Sequence, residues 1–382
     1  LISGEFEPEL LRLCNQLRLA ECSVDERHSP AVGEPAGATT DSPRVDGPAG
    51  VTTDAPGVDK LAVVTTARQR FLVPDRSDLP ALSEYAQLRK TDGPSVTVGY
   101  VEASRGCKHL CRHCPVVPIY QGRFRVVPRD VVLADVRAQV DAGARHITFG
   151  DPDFFNGVGH AVAIVEAFAR ECPGVSYDVT IKVEHLRRHD DRLTVLRDTG
   201  CLFVVSAVES IDDAVLARLD KGHTRADFEQ VVARCRQVGL TLAPTFIPFT
   251  PWTTLADYQE VLDFIESNEL IDHVDPVQFS IRLLIPPGSW LAEHPATLPY
   301  RGRLDETALS WTWAHPDPRM DALQREVAGL VERDATDEVD PAPTFLRIRE
   351  LAHGRSPDEA LAENTLSPDR RRAPRLSESW FC

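Results

Sequence analysis

The sequence predicts an α/β protein whose main domain is a partial (β/α)6 barrel. Three observations carry this. Strand-like and helix-like stretches alternate six times between Val96 and about Leu284. The helical stretches place apolar residues at i, i+3, i+4 and i+7, as in Phe228, Val231, Val232 and Cys235, or Tyr258, Val261, Leu262 and Ile265. A cluster of three cysteines begins just past the first strand, where a parallel barrel keeps its chemistry.

Taken in order, residues 1–25 open with LISGEFEPELLRL, which reads as a strand end, a turn and one helix with Leu10, Leu13, Cys14 and Leu17 on one face. One helix cannot bury that face alone, so the segment reads as the last unit of an α/β domain, with Cys14 and Cys22 as packing residues. The chain starts at Leu1 and its single methionine is Met320, so a missing N-terminus or a non-standard start is expected. Residues 26–60 contain PAGATTDSPRVDG followed at once by PAGVTTDAPGVDK, a Pro/Gly/Thr/Asp repeat with no aromatic residue. Such a segment cannot bury a core and is expected to be a disordered linker. A pre-barrel segment occupies 61–95 and the barrel 96–290. Its strands are expected at 96–102, 146–150, 176–183, 202–209, 240–249 and 274–284. The extension 291–382 is irregular and Pro-rich, with one helix near 319–333, and is expected to cover the open side of the barrel.

The composition, 42% hydrophobic and 26% charged, is that of an ordinary globular chain. A formal charge of −16 argues against a nucleic-acid or anionic-membrane partner, and Arg370–Arg372 reads as a solvated tail segment. No run is long and apolar enough for a membrane span, and no leader or lipidation box is visible, so a cytoplasmic location is expected.

Three of the nine cysteines lie in GCKHLCRHCP, spaced Cys107-x3-Cys111-x2-Cys114. A disulfide framework is the weakest reading, given an odd cysteine count. Zinc needs a fourth ligand, which His109 or His113 would have to supply, and no distant ligand pair exists. A redox pair leaves Cys107 unexplained. Three thiolates without a fourth suit a 4Fe-4S cluster with one iron open to an outside ligand. Cys172, Cys201 and Cys235 read as core residues.

This spacing, at the end of the first of six βα units, resembles the radical S-adenosylmethionine (SAM) superfamily. The resemblance implies that Cys107, Cys111 and Cys114 bind the cluster, that the open iron binds SAM, and that an external one-electron donor such as a ferredoxin or flavodoxin serves it. His113 stands where an aromatic residue packs on the adenine. Gly150 and Asp151, in Phe149-Gly150-Asp151-Pro152, stand where a Gly-Gly-Glu motif accepts from the SAM ammonium. The alternative for Asp151 is a helix N-cap. Glu209 stands at the ribose position and Lys221 near the SAM carboxylate. Lys182, Glu184 and His185 end the third strand and can face substrate.

The stretches VPDRSDLPALSEYA (73–86), YVEASRGCKHLCRHCPVVPIYQGRFRVVP (100–128), FTPWTT (249–254) and RLLIPPGS (282–289) resemble a narrower group, the CUAEP/CCAEP-tail radical SAM proteins. In that group a cobalamin-binding-like α/β region precedes the barrel, and LISGEFEPELLRL looks like its remnant. Most of that region, and any Asp-x-His-x-x-Gly ligand motif, is missing from residues 1–382, which makes cobalamin a doubtful cofactor. The resemblance also implies that Ser-Glu-Ser-Trp-Phe-Cys leads into Cys-Sec-Ala-Glu-Pro. The chain is then expected to stop at the selenocysteine triplet, with Cys382 the first member of a catalytic thiol–selenol pair. The expected activity is SAM cleavage and radical modification of an unidentified small molecule. Alkyl or 3-amino-3-carboxypropyl transfer to a soft acceptor such as arsenite is the alternative, and a zinc-binding module the non-enzymatic one.

Overall fold

The structure, a computed structural model, describes residues 70–90, 93–356 and 372–377, and the backbone of 2–4 and 63–65. The chain divides into two units, 1–69 and 70–382. In the first, Ile2–Gly4 pairs in parallel with Val63–Thr65. The rest of the expected remnant (1–25), the linker (26–60) and Cys382 lie outside the described residues.

The second unit is built on a seven-stranded sheet. Its strands are β1 (Gln87–Arg89), β2 (Val96–Val101), β3 (His146–Phe149), β4 (Ser176–Thr180), β5 (Cys201–Glu209), β6 (Thr241–Phe246) and β7 (Arg375–Leu376), in the spatial order β6-β5-β4-β3-β2-β1-β7. Strands β2 to β6 are parallel neighbours in sequence order, while β1 and β7 are antiparallel additions. Successive side chains of a strand point to opposite faces, so strands such as β2 and β5 feed two cores. Ile147, Phe149, Tyr177, Val179, Val204 and Val208 belong to the larger core, with the buried sides of the crossover helices. Those helices contribute Phe228, Val231, Val232 and Cys235 from Arg225–Val238, and Tyr258, Val261, Leu262 and Ile265 from Leu255–Ser267, as the periodicity predicts. Each of these two helices starts in a capping box, Thr224 with Asp227 and Thr254 with Asp257, worth about 1 kcal/mol apiece. The opposite face builds a smaller core from Val98, Phe203, Val205, Leu88 and Leu376.

The sheet is strongly curled. His273 bonds the Leu242 carbonyl of edge strand β6 at 2.8 Å, and its neighbour Asp272 accepts from the Ala373 N–H at 3.2 Å. Four residues later Ser377 N–H reaches the Gln87 carbonyl of β1 at 2.7 Å. A segment this short links strands five places apart in the sheet, so the two edges have come together. Residues 372–377 of the C-terminal extension run between these two edges. Its helices Pro318–Thr336 and Pro341–Ala352 pack instead beside Leu255–Ser267 and the 3-10 turn Pro276–Ser280.

The sixth expected strand, 274–284, is different. Asp275 accepts from the Val277 N–H and Pro276 has no N–H to give a ladder, so the segment begins as a 3-10 turn. The Gln278 side chain accepts the Phe246 N–H at 3.2 Å, doing for β6 what a strand carbonyl would do. Only a single parallel bridge, Phe249 with Arg282, survives of the sixth strand.

Candidate active site

The C-terminal ends of β2 to β5 converge on the cysteine loop. Ser104–Gly106 and Phe124–Val126 form a small antiparallel pair that closes the loop at its base. Gly106 has φ +83°, and a Cβ there would lie 2.5 Å from the Tyr120 ring and 2.7 Å from the Arg123 carbonyl, so only glycine fits. Two side chains from the end of β3 grip this base. Asn156 accepts the Lys108 N–H at 3.1 Å and donates to the Gly106 carbonyl at 3.3 Å. Asp151 accepts from the Ala103 N–H at 2.9 Å and from the Ser104 hydroxyl. On the far side Arg112 donates to the Ala217 and Arg218 carbonyls, at 2.8 and 2.9 Å.

Cys107, Cys111 and Cys114 are free thiols on this gripped loop. Burial pushes Cys107 up to about 12, and Asp153 and the other two thiols add to the effect. Burial likewise raises Cys114, opposed in part by Lys221. The desolvated Cys107 and Cys114 thiols are unfavourable as thiolates unless a cation neutralises them. An iron–sulfur cluster is a group of that kind, and the donor set fits it.

Beside the thiols a buried ion pair, Glu209 and Lys221, meets the half-buried ring of His113. Glu209 accepts from Lys221 at 3.1 Å and from His113 Nε2 at 3.2 Å. Burial opposes the charge on Glu209, yet Lys221 and His113 win and bring its carboxyl down to about 2. The same pairing, helped by Cys111 and Cys114, raises Lys221 against its own desolvation. Glu209 has φ +69°, a left-handed conformation costing about 1–3 kcal/mol for a non-glycine residue. The structure thus assembles His113, Glu209 and Lys221, three residues singled out from the sequence. Gly150 is close by for a steric reason: a Cβ there would lie 1.9 Å from the Tyr100 hydroxyl.

Asp151 corrects an expectation. It caps no helix; Asp153 does that, accepting the Phe155 N–H. Both Asp151 oxygens are engaged with residues 103 and 104, in a site 2% exposed where burial pushes the carboxyl up to about 7. Through these two bonds it holds the base of the cysteine loop. Lys182 and Glu184 pair at 3.6 Å, and His185 is fully buried against Asp153. Sequence reasoning gave no role to Asp153, Asn156 or His223. The signal for the first two is their position, three and six residues past Gly150 on the loop after β3. His223 is buried two residues past Lys221, with neither ring nitrogen hydrogen-bonded, and burial with Lys221 and Lys182 lowers it to about 4.

The fold and this thiol-bearing loop define a class. Residues 101–265 match the family model of the radical SAM superfamily, so the chain carries a radical SAM domain; members of that superfamily use a 4Fe-4S cluster and SAM. The tRNA-2-methylthio-N(6)-dimethylallyladenosine synthase of Magnetococcus marinus is 28% identical over 57% of this chain and 51% of its own length. The ribosomal protein uS12 methylthiotransferase RimO of Geobacter sulfurreducens is 25% identical over 47% of this chain and 41% of its own. The chain thus spans about half the length of the curated relatives it matches. Among solved structures, the cobalamin-dependent SAM radical enzyme OxsB superposes with a TM-score of 0.54 at 15% identity, over 69% of this chain and 48% of that one, a likeness of fold.

Proposed function

We propose that this chain is an enzyme that cleaves SAM reductively and uses the product to modify a substrate. The observation that carries the reading is the gripped loop of three free thiols at the C-terminal face of the barrel, next to the buried Glu209–Lys221 pair and the ring of His113. Cys107, Cys111 and Cys114 would hold a 4Fe-4S cluster. Bound there, the cluster supplies the electron that splits SAM into methionine and a 5′-deoxyadenosyl radical able to abstract hydrogen. Lys221 offers a fixed positive charge for the SAM carboxylate. Glu209, kept ionised by Lys221, offers an acceptor for the ribose hydroxyls, and His113 a flat ring for the adenine. Gly150 keeps the end of β3 flat under Tyr100, and Asp151 positions the loop.

The chain also resembles the CUAEP/CCAEP-tail group over 73–86, 100–128, 249–254 and 282–289, and in that narrower reading Cys382 is a catalytic tail thiol in a cytoplasmic enzyme served by a ferredoxin or flavodoxin. The substrate belongs with this proposal. The relatives' names specify a tRNA and a ribosomal protein as theirs, whereas the −16 charge here favours a small molecule.

The test is anaerobic reconstitution with iron and sulfide, followed by dithionite and SAM. The expected result is about four irons per chain and formation of 5′-deoxyadenosine, both lost when Cys107, Cys111 or Cys114 is replaced by Ala and kept when Cys172, Cys201 or Cys235 is. Iron-free protein with zinc bound through the cysteines would overturn the reading.

A further inference from the structure

Next to the cysteine loop, three side chains from three successive strand ends point at one spot. His109 comes from the loop after β2, Asp153 from the loop after β3, and His185 from the helix after β4. His109 Nε2 lies 3.0 Å and His185 Nδ1 2.7 Å from the same oxygen, Asp153 Oδ2, and the two nitrogens are 3.5 Å apart. We infer that His109, Asp153 and His185 form a binding site for a single divalent first-row transition ion, separate from the thiol site.

Two of the three spacings, 3.0 and 3.5 Å, suit such an ion as they stand, and the 2.7 Å pair has to open by a few tenths of an ångström to admit it. Ligands bonded at about 2.1 Å in tetrahedral or octahedral geometry sit roughly 3.0–3.5 Å from one another. Two imidazoles and one carboxylate are the donor set of zinc and of non-haem iron sites that keep positions open. The ligands are also held from behind. Asp153 Oδ1 accepts the Phe155 N–H at 3.1 Å, which fixes the carboxylate and leaves Oδ2 for the metal. The second ring nitrogen of His109 faces Glu184 Oε2 at 3.4 Å. That is the carboxylate–histidine–metal arrangement, in which the outer carboxylate takes the one N–H of a neutral ring and directs the other lone pair at the ion. Asp153 and His185 are 1% and 0% exposed, while His109, at the rim, gives the ion its way in.

The site stands on the barrel's chemical face beside Cys107, whose thiol feels the Asp153 charge. An ion there has positions left for water or for an oxygen, nitrogen or sulfur atom of a substrate.

The experiment uses cluster-loaded protein equilibrated anaerobically with Zn(II), with zinc and iron counted together by mass spectrometry. One zinc per chain is expected beyond the cluster iron. Asp153→Asn and His185→Gln should each weaken zinc binding at least 100-fold with the iron count retained, and Glu184→Gln by about 10–100-fold. Should a variant fail to fold, X-ray absorption at the zinc edge of the unaltered protein decides: nitrogen and oxygen neighbours near 2.0–2.1 Å support the site, and sulfur near 2.3 Å overturns it. Absence of zinc above the iron, or zinc binding indifferent to Asp153→Asn and His185→Gln, overturns it too.

Discussion

Asp151 and Asp153 stand two residues apart at the end of β3, are equally buried, and carry opposite electrostatics. Asp151 gives both oxygens to neutral donors, the Ala103 N–H and the Ser104 hydroxyl, and its burial cost prevails, so its carboxyl rises to about 7. Asp153 is buried as deeply, but His109 and His185 both approach it, and its carboxyl is held below the usual range. A step of two residues turns a structural clamp into a charged acceptor.

The clamp has a measurable consequence. Asp151→Asn can keep the Ala103 N–H on its amide oxygen and turn its N–H₂ to the Ser104 hydroxyl oxygen, exchanging a carboxylate acceptor for a neutral amide at a cost of about 1 kcal/mol. Because that energy holds the base of the cysteine loop, the variant should retain less iron after desalting. SAM affinity of the iron-replete fraction should change by less than about threefold. A tenfold weaker SAM affinity at full iron content would return Asp151 to the SAM-binding role implied by the sequence.

Glu209 and Lys221 make a second prediction. Lys221→Met leaves Glu209 buried with one partner instead of two, a loss of about 3–5 kcal/mol in unfolding free energy. Glu209→Gln combined with Lys221→Met should recover part of that loss, because no orphaned charge remains. Denaturant unfolding of the two single variants and the double variant gives the coupling; strict additivity would mean the pair contributes nothing.

His223 sets a pH dependence. Its folded-state value of about 4 lies below the ordinary value of 6.5, so the unfolded chain takes up the proton first. The stability it permits is fully present above about 6.5 and is lost as pH falls toward 4. Between pH 7.5 and 5 the unaltered protein should lose about 2 kcal/mol more than His223→Leu. Parallel stability curves for the two proteins would show that His223 is protonated as easily in the fold as out of it.

Gly150→Ala should be destabilising because of Tyr100, whose hydroxyl would lie 1.9 Å from the new Cβ. Tyr100 is half exposed, so removing it costs little core. The double variant Gly150→Ala, Tyr100→Ala should therefore melt higher than Gly150→Ala alone. If it melts lower, the glycine is required for another reason.

Much of this molecule is legible in one dimension. The three thiols fall within eight residues, so their shared chemistry shows in the spacing alone. The crossover helices declare themselves by periodicity, since an apolar face repeats every turn. Glu209 and Lys221 were reachable because each ends an element next to the thiol loop and the resemblance assigns both positions. What stayed hidden depends on strand adjacency. His109, Asp153 and His185 are separated by 44 and 32 residues, and only the neighbouring of β2, β3 and β4 brings them together. The lost sixth strand has a similar cause: its apolar pattern suits a strand, but the Asp275–Pro276 turn and the Gln278 side chain satisfy the edge of β6 another way.

The pairing of β7 with β1 also bears on the order in which the molecule is assembled. The Gln87 N–H finds its acceptor, the Ser377 hydroxyl, 290 positions further along the chain. During synthesis the whole parallel sheet and its helices can therefore form while the outer rim of β1 still shows unpaired amides. That rim is open to pairing with a neighbouring nascent chain until residues 375–377 have emerged from the ribosome. A ribosome stalled before residue 372 would hold a barrel with its side door ajar, and this is the stage at which self-association and proteolysis should concentrate.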